Sequence, residues 1–339
     1  MEKIFKNILI SRTDNLGDSI LTLPLVNETH KIFPDAKINI LAKNYTRELY
    51  ENLKFINKVF ILPEKKNVFN LFQLIRELRK ENIDLAILVY PRFIVALVLF
   101  FSKIKIRTGT GYRWYSFLLN HKNYEHRKYS TRHESEYNMN LLKYFSDKFE
   151  YEINFGLKTN IENKIKAKEV LSQFKLKEKK FVIIHPLSFG SSKKWPIENF
   201  MKLSDKILSE TKFDVLFTGT LREEKIIKSK YKSGKINFIS GLKIMDFAAV
   251  IEKSKSFISN STGPLHLAAI VNTPVVSFFS PVQNTNPTRW EPITKRKKIF
   301  VANNDLCSLC NGGKCKSNLC MEAITVNSVF SAVLEVVRE

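Results

Sequence analysis

Ile83-Asp84-Leu85-Ala86-Ile87-Leu88-Val89-Tyr90-Pro91-Arg92-Phe93-Ile94-Val95-Ala96-Leu97-Val98-Leu99-Phe100-Phe101-Ser102 is the stretch on which the fold turns. Read straight through to Ile104 it imitates a membrane span. Pro91-Arg92 divides it, and neither half reaches the ~20 residues a bilayer crossing needs. Ile83–Tyr90 reads instead as a strand buried on both faces, as in a parallel sheet, and Phe93–Ser102 as a short apolar helix. That helix reads as core, with a shallow interfacial seat as the alternative.

The same rhythm of short apolar runs and helical patterns extends outward in both directions, which is the mark of an α/β protein. Upstream, Asn7–Ser11, Ile38–Ala42 and Val59–Leu62 read as strands, and Ser19–Phe33 and Val68–Glu81 as helices. Pro24 is placed to kink the first helix or delay its start. Around Asn154–Lys180 the chain turns polar and Lys-rich, with a helix at Ile161–Phe174. Then the rhythm restarts: strands at Phe181–His185, Asp214–Thr218, Ser256–Ser259 and Val275–Phe279 alternate with helices at Ile197–Leu208, Glu223–Lys232, Met245–Lys253 and Pro264–Val271. The expected organisation is an N-terminal domain over 1–155, a linker over 156–180, a C-terminal domain over 181–325 and a closing helix over 326–339.

Bulk properties agree with two domains in 339 residues. The 55 Lys+Arg against 33 Asp+Glu leave a net charge of +22. Such an excess suits a polyanionic partner, whether nucleic acid, an anionic membrane face or a phosphorylated glycolipid. A Lys-rich solvated surface explains it equally well, because the lysines are spread along the chain. The N-terminus has too short an apolar run for a secretory signal, so a cytoplasmic protein is expected.

Three loops carry polar chemistry. Ser11-Arg12-Thr13-Asp14-Asn15-Leu16-Gly17-Asp18 follows the first strand and opens a helix. Gly17 permits close backbone approach to a ligand, and Asp18 sits in a first helical turn, where a plain capping role is the bland reading. The second and third glycines of a dinucleotide fingerprint are missing, which disfavours hydride transfer. His185-Pro186-Leu187-Ser188-Phe189-Gly190-Ser191-Ser192-Lys193-Lys194-Trp195-Pro196 brings hydroxyls, a glycine and two lysines to a strand exit, a combination suited to phosphate. Ser259-Asn260-Ser261-Thr262-Gly263-Pro264-Leu265-His266 ends a strand and starts a helix, whose free N–H groups and dipole suit a pyrophosphate.

In their order and separation, these three blocks are similar to the signatures of glycosyltransferase family 9, the ADP-heptose:lipopolysaccharide heptosyltransferase family. The resemblance covers Ile8 to about Pro281. It implies an α/β, GT-B fold: two Rossmann-like doubly wound domains facing a central cleft, acceptor on the N-terminal side and nucleotide sugar on the C-terminal side. It implies an inverting, metal-independent transfer of a sugar, heptose from ADP-heptose, to a lipopolysaccharide core acceptor. By the same resemblance Asp18 is the general base, with Arg12, Asn15 and Gly17 on the acceptor side. Lys193 is the diphosphate lysine, with Lys194 as its substitute, and Ser188, Ser191 and Ser192 are hydroxyl donors. Thr262 and Gly263 form the diphosphate cradle, with His266 as the site histidine. Glu223 or Glu224 falls where a carboxylate holds the ribose, and Leu242 where an apolar side chain packs on the base. Ser261 departs from the pattern, since an Asp often precedes the Thr-Gly pair; that loss of charge puts the sugar's identity in doubt. The partners implied are a nucleotide-sugar donor, a glycolipid acceptor and the anionic inner face of the inner membrane.

The four cysteines, Cys307, Cys310, Cys315 and Cys320, lie in one short stretch with gaps of two, four and four residues. In a cytosolic chain such a cluster reads as metal-binding before disulfide, so a structural zinc is one expectation and free thiols or a redox-labile pair the other. No catalytic cofactor is expected. A nucleic-acid-binding role ranks behind transfer, because no DNA or RNA module is recognisable. A non-catalytic nucleotide-sugar sensor also ranks behind, given Asp18.

Overall fold

The computed structural model of the protein describes residues 5–64, 67–146, 149–187, 193–231, 236–303 and 318–338. The chain divides into two compact units, one of 1–127 with 132–157 and the other of 128–131 with 158–339. Most of the stretch expected as a linker therefore lies inside the second unit.

The first unit is built on strands β1 (Asn7–Ser11), β2 (Lys37–Ala42), β3 (Ile56–Ile61), β4 (Leu85–Leu88), β5 (Ile106–Thr110) and β6 (His121–Asn123). All pair in parallel, in the order β3-β2-β1-β4-β5-β6. The two central strands are buried along their whole length, as continuous apolar runs demand. The helix Phe93–Phe101 follows β4, so the hydrophobic stretch is a strand and a short helix. Pro24 does not kink one long helix but starts a second: Leu16–Ile20 is followed by a separate helix Leu23–Ile32. Proline in a first turn sacrifices only an N–H that has no partner there.

The second unit repeats the plan with β7 (Phe181–His185), β8 (Asp214–Thr218), β9 (Asn237–Ile239), β10 (Ser256–Asn260), β11 (Val275–Phe279) and β12 (Lys297–Val301). Their order is β12-β11-β10-β7-β8-β9, again all parallel. Counted from β7, this is the same winding as in the first unit. The sheet order reverses between β1 and β4 in one unit and between β7 and β10 in the other. The C-terminal helix Val326–Arg338 belongs to the second unit, where Val329, Val333 and Val336 join the core.

Trp195 is the largest fully buried side chain of that core. Its ring stacks on Phe278 at 4.4 Å and meets Phe200 edge-on at 4.7 Å, while its indole N–H donates to the Ile324 carbonyl at 2.8 Å. Trp195→Ala is expected to cost the second unit about 3–5 kcal/mol. Urea unfolding checks this, and a cost near zero would mean that the core closes over the gap.

Candidate functional site

In a doubly wound sheet the loops leaving the two strands at the order reversal turn to opposite faces and open a crevice at the strand carboxyl ends. In the first unit those loops are 12–18, after β1, and 89–92, after β4. Arg12 anchors the first. It is 2% exposed and lies amid three carboxylates, donating to Asp14 at 2.7 Å, Asp18 at 2.6 Å and Glu134 at 3.3 Å. Asn138 accepts from it at 3.2 Å, and Arg127 shares Glu134 and Asn138 at 2.7 and 3.0 Å. Glu134 and Asn138 sit one turn apart on the helix Glu134–Met139. The Asn138 amide also donates to the Leu21 carbonyl at 3.0 Å, tying that helix to the segment after Asp18.

Burial opposes the charge on Arg12, but Asp14, Asp18 and Glu134 outweigh it and hold the guanidinium above the ordinary arginine pKa. Asp14 is pushed up to about 6, by burial first and by Asp18 as a like charge, against the pull of Arg12. Asp18, 17% exposed, keeps a side chain that solvent can reach. Gly17 is buried beside it and Asn15 is exposed at the N-cap of Leu16–Ile20. A guanidinium so engaged orients the carboxylates around it.

In the second unit the crevice lies between the loop after β7 and the loop after β10. Asn260, the last residue of β10, clamps the two together. Its amide accepts from the Trp195 N–H at 2.8 Å and donates to the Pro186 carbonyl at 2.8 Å. Asn318 donates to the Lys194 carbonyl at 3.1 Å. Lys193 and Lys194 are thus held between buried Trp195 and a stretch, 188–192, outside the described residues. Ser188, Ser191 and Ser192 fall in that stretch. Burial lowers the pKa of Lys194, and the Glu223 carboxylate works the other way.

After β10, Ser261 donates its N–H to the Phe278 carbonyl at 3.3 Å, and Thr262 caps the helix Gly263–Ile270 without a side-chain cap bond. The Thr262 hydroxyl and that of Ser259 are buried with no hydrogen-bond partner among the described residues. Buried hydroxyls at a helix N-terminus are a fit for anionic oxygens. His266 is buried in the first turn of that helix.

The sequence model of glycosyltransferase family 9 (heptosyltransferase) matches residues 71–320, which is most of the chain. The chain belongs to that family. It is similar to a Haemophilus influenzae glycosyltransferase, at 25% identity over 98% of this chain and 97% of that one. Among solved structures it resembles the family 9 glycosyl transferase of Veillonella parvula, with TM-score 0.86 and 21% identity over 100% and 99% of the two chains. It also resembles the Escherichia coli ADP-heptose lps heptosyltransferase II, with TM-score 0.79 and 19% identity over 98% of each chain. The protein is a glycosyltransferase with a two-domain, GT-B-type α/β fold.

Within this family 9 glycosyltransferase, the structure separates the two glutamates offered for a ribose. Glu223 is buried, and its carboxylate accepts the Thr220 N–H at 2.6 Å while Thr220 caps the Glu223 N–H, which closes the helix Leu221–Lys230 with a capping box. Gly219 leaves room for it: a Cβ there would lie 2.9 Å from Glu223 Oε2. The next residue, Glu224, accepts from the Ser240 hydroxyl at 3.3 Å and from Lys228 at 2.6 Å. Ser240, Gly241 and Leu242 line a small cavity of about 70 Å³ with His185, Thr218 and Phe247, and Leu242 also walls a larger one of about 370 Å³. Gly241 takes φ +75°, which admits the turn at that rim.

Cys307, Cys310 and Cys315 lie outside the described residues, and Cys320 is buried in the helix Leu319–Glu322. Among the described residues no group of three or more His, Cys, Asp or Glu is placed to hold a metal ion. Arg127, Glu134 and Asn138 went unread in the sequence because they lie in a segment without apolar periodicity. Their one signal was a Glu and an Asn four positions apart beside an Arg seven positions upstream.

Arg12→Met would leave three carboxylates crowded without their shared cation, at an expected cost of about 3–5 kcal/mol. Chemical unfolding of the first unit checks this; an unchanged midpoint would show that the cluster relaxes into water. His185 offers a second test. It is buried beside Thr218 (Nδ1 to Oγ1, 2.9 Å), and desolvation lowers its pKa to about 4, with Glu223 in partial opposition. The unfolded chain therefore binds the extra proton between pH 6.5 and 4, so stability falls as pH drops through that window and is unaffected above it. Replacing His185 with Asn should flatten the dependence by roughly 1 kcal/mol per pH unit, read from unfolding midpoints at pH 7 and 5.

Proposed function

We propose that this glycosyltransferase moves a sugar, heptose from ADP-heptose, onto a membrane-borne glycolipid of the lipopolysaccharide core type, with inversion at the anomeric carbon. The observation that carries the reading is the seat of Asp18 at the carboxyl end of β1, fixed by buried Arg12 yet open to solvent. In this reading the acceptor hydroxyl oxygen attacks the anomeric carbon from the side opposite the leaving group. Its proton passes to the Asp18 carboxylate as the new C–O bond forms. The bond to the nucleoside diphosphate breaks, and the departing charge is met by Lys193 or Lys194, the Thr262 hydroxyl and the N-terminus of Gly263–Ile270. Glu224 takes the ribose and Leu242 the face of the base. These donors are all protein groups, so the reading assigns no divalent metal to the step. The acceptor's place puts the enzyme at the inner face of the membrane.

Support for ADP-heptose comes from the Escherichia coli ADP-heptose lps heptosyltransferase II, which shares the fold along its length. Ser261 favours a second reading with the same chemistry and another nucleotide sugar, since it leaves the donor loop without the acidic residue common at that place. Calorimetric titration with ADP, UDP, GDP and CDP separates the two. Binding of ADP alone supports the heptose donor, and preference for another diphosphate replaces the sugar. Asp18→Ala should lose at least about a hundredfold in kcat while nucleotide affinity stays within about twofold. A near-normal rate would remove Asp18 as the base.

A further inference from the structure

The helix Phe93–Phe101, with sequence FIVALVLFF, is apolar all round, and such helices are normally enclosed. Here only one face is. Val95, Ala96, Val98 and Leu99 enter the first unit's core, while Phe100 and Phe101 stay exposed. The neighbouring helix Val68–Lys80 does the same: Leu74 and Leu78 are buried, whereas Phe69 and Phe72 are 75% and 65% exposed. Between the two helices runs an apolar groove of about 1060 Å³. The aromatic surface continues beyond it, because Phe93 packs on Trp114 at 4.7 Å and Trp114 on Phe117 at 6.5 Å. Trp114 and Phe117 are themselves 73% and 66% exposed.

The charges around this surface are nearly all of one sign. From residue 85 to residue 124 the chain holds six Lys and Arg and no Asp or Glu. Lys103, Lys105 and Arg113 are exposed there, and Arg76, Arg79 and Lys80 add to the rim from the first helix. Arg79 also closes one end of the groove by donating to the Phe101 carbonyl at 2.6 Å. Glu77 is the acidic residue of the lining and accepts from Gln73 at 3.2 Å.

We propose that this face, formed by the helices Val68–Lys80 and Phe93–Phe101 and the Trp114–Phe117 segment, docks the protein on an anionic lipid bilayer. Exposed Phe and Trp side chains insert at the level of the headgroups, and the basic rim meets the anionic surface. A second copy of the chain fits less well, since a two-fold contact would press the basic rim against itself. No helix among the described residues is long and apolar enough to cross a membrane, so the contact is one of surface docking. The inference deepens the membrane-borne acceptor reading and rests on it only for its biological setting.

Vesicle sedimentation with the full chain tests it without donor or acceptor, so it can stand or fall apart from the transfer reaction. Vesicles of phosphatidylcholine with phosphatidylglycerol should bind the protein, and phosphatidylcholine alone should bind it far less. Replacing Lys103 and Lys105 with Gln should weaken binding roughly fivefold per charge. Phe69→Ser with Phe72→Ser should weaken it roughly tenfold or more, with circular dichroism and ADP binding unchanged, because both rings are already in solvent. Equal binding to both vesicle types, or unaltered binding by both double variants, would overturn the proposal. So would a dimer in sedimentation velocity that the two serines abolish, which would make the face a self-interface.

Discussion

A parallel strand cannot reach its neighbour through a tight turn, and everything else in this molecule follows from that constraint. Each strand must be followed by a crossover, helices must cover both faces, and all carboxyl ends must open along one edge of the sheet. Where the strand order reverses, between β1 and β4 and again between β7 and β10, adjacent crossovers leave on opposite faces and open a crevice. Segments 12–18 and 261–266, each a loop running into a helix, emerge at those two crevices. Their position as candidate sites is therefore set by topology before any side chain is considered.

A loop at such a crevice has few main-chain bonds to hold it, and each unit supplies a buried polar side chain instead. In the second unit Asn260 uses both ends of its amide on the Trp195 N–H and the Pro186 carbonyl, so that two loops share one anchor. In the first unit Arg12 does the same work with charge. Three carboxylates against Arg12 and Arg127 sum to a formal −1 (−3 + 2), and Asp14 is pushed up, by its burial first and by the like charge of Asp18 second. Buried ionic clusters stabilise a fold poorly for the desolvation they cost. What this one supplies is orientation: Arg12 holds the Asp18 carboxylate at 2.6 Å at the carboxyl end of β1, the kind of fixed seat that the proposed base requires.

This division explains what could be read from the sequence. Buried central strands such as Leu85–Leu88 and Phe181–His185 announce themselves as apolar runs, and the polar blocks after β1, β7 and β10 stand out because they interrupt the rhythm at strand exits. Strands β5, β6, β9 and β12 gave no such signal. They lie at or next to sheet margins and are short or half-exposed; β5, β6 and β12 are broken up by Arg, Thr, His or Lys, and β9 is only Asn-Phe-Ile. Glu134 and Asn138 were hidden for another reason, since a contact across more than a hundred residues leaves no local pattern. That Glu223 rather than Glu224 makes the capping box of the helix Leu221–Lys230 was equally out of reach, because two adjacent carboxylates look alike in the sequence.

The net charge reads differently once it has a place. Spread evenly, +22 is explained by solubility alone, and the sequence offered no way to decide. The structure puts an acid-free run of forty residues, 85–124, next to an apolar groove of about 1060 Å³, and the two features constrain each other. Exposed aromatic rings on a helix that is apolar all round carry an aggregation liability, which basic neighbours lessen by repulsion between copies. The same pair of features attracts an anionic, partly apolar surface. An enzyme whose acceptor is confined to a membrane gains from such a contact even if it touches no reacting atom, because it turns a search through solution into one along a surface and raises the effective concentration of acceptor. The core residues Leu74, Leu78, Val95 and Leu99 keep the two helices in place, so their outer faces are free to be chosen for what they meet outside.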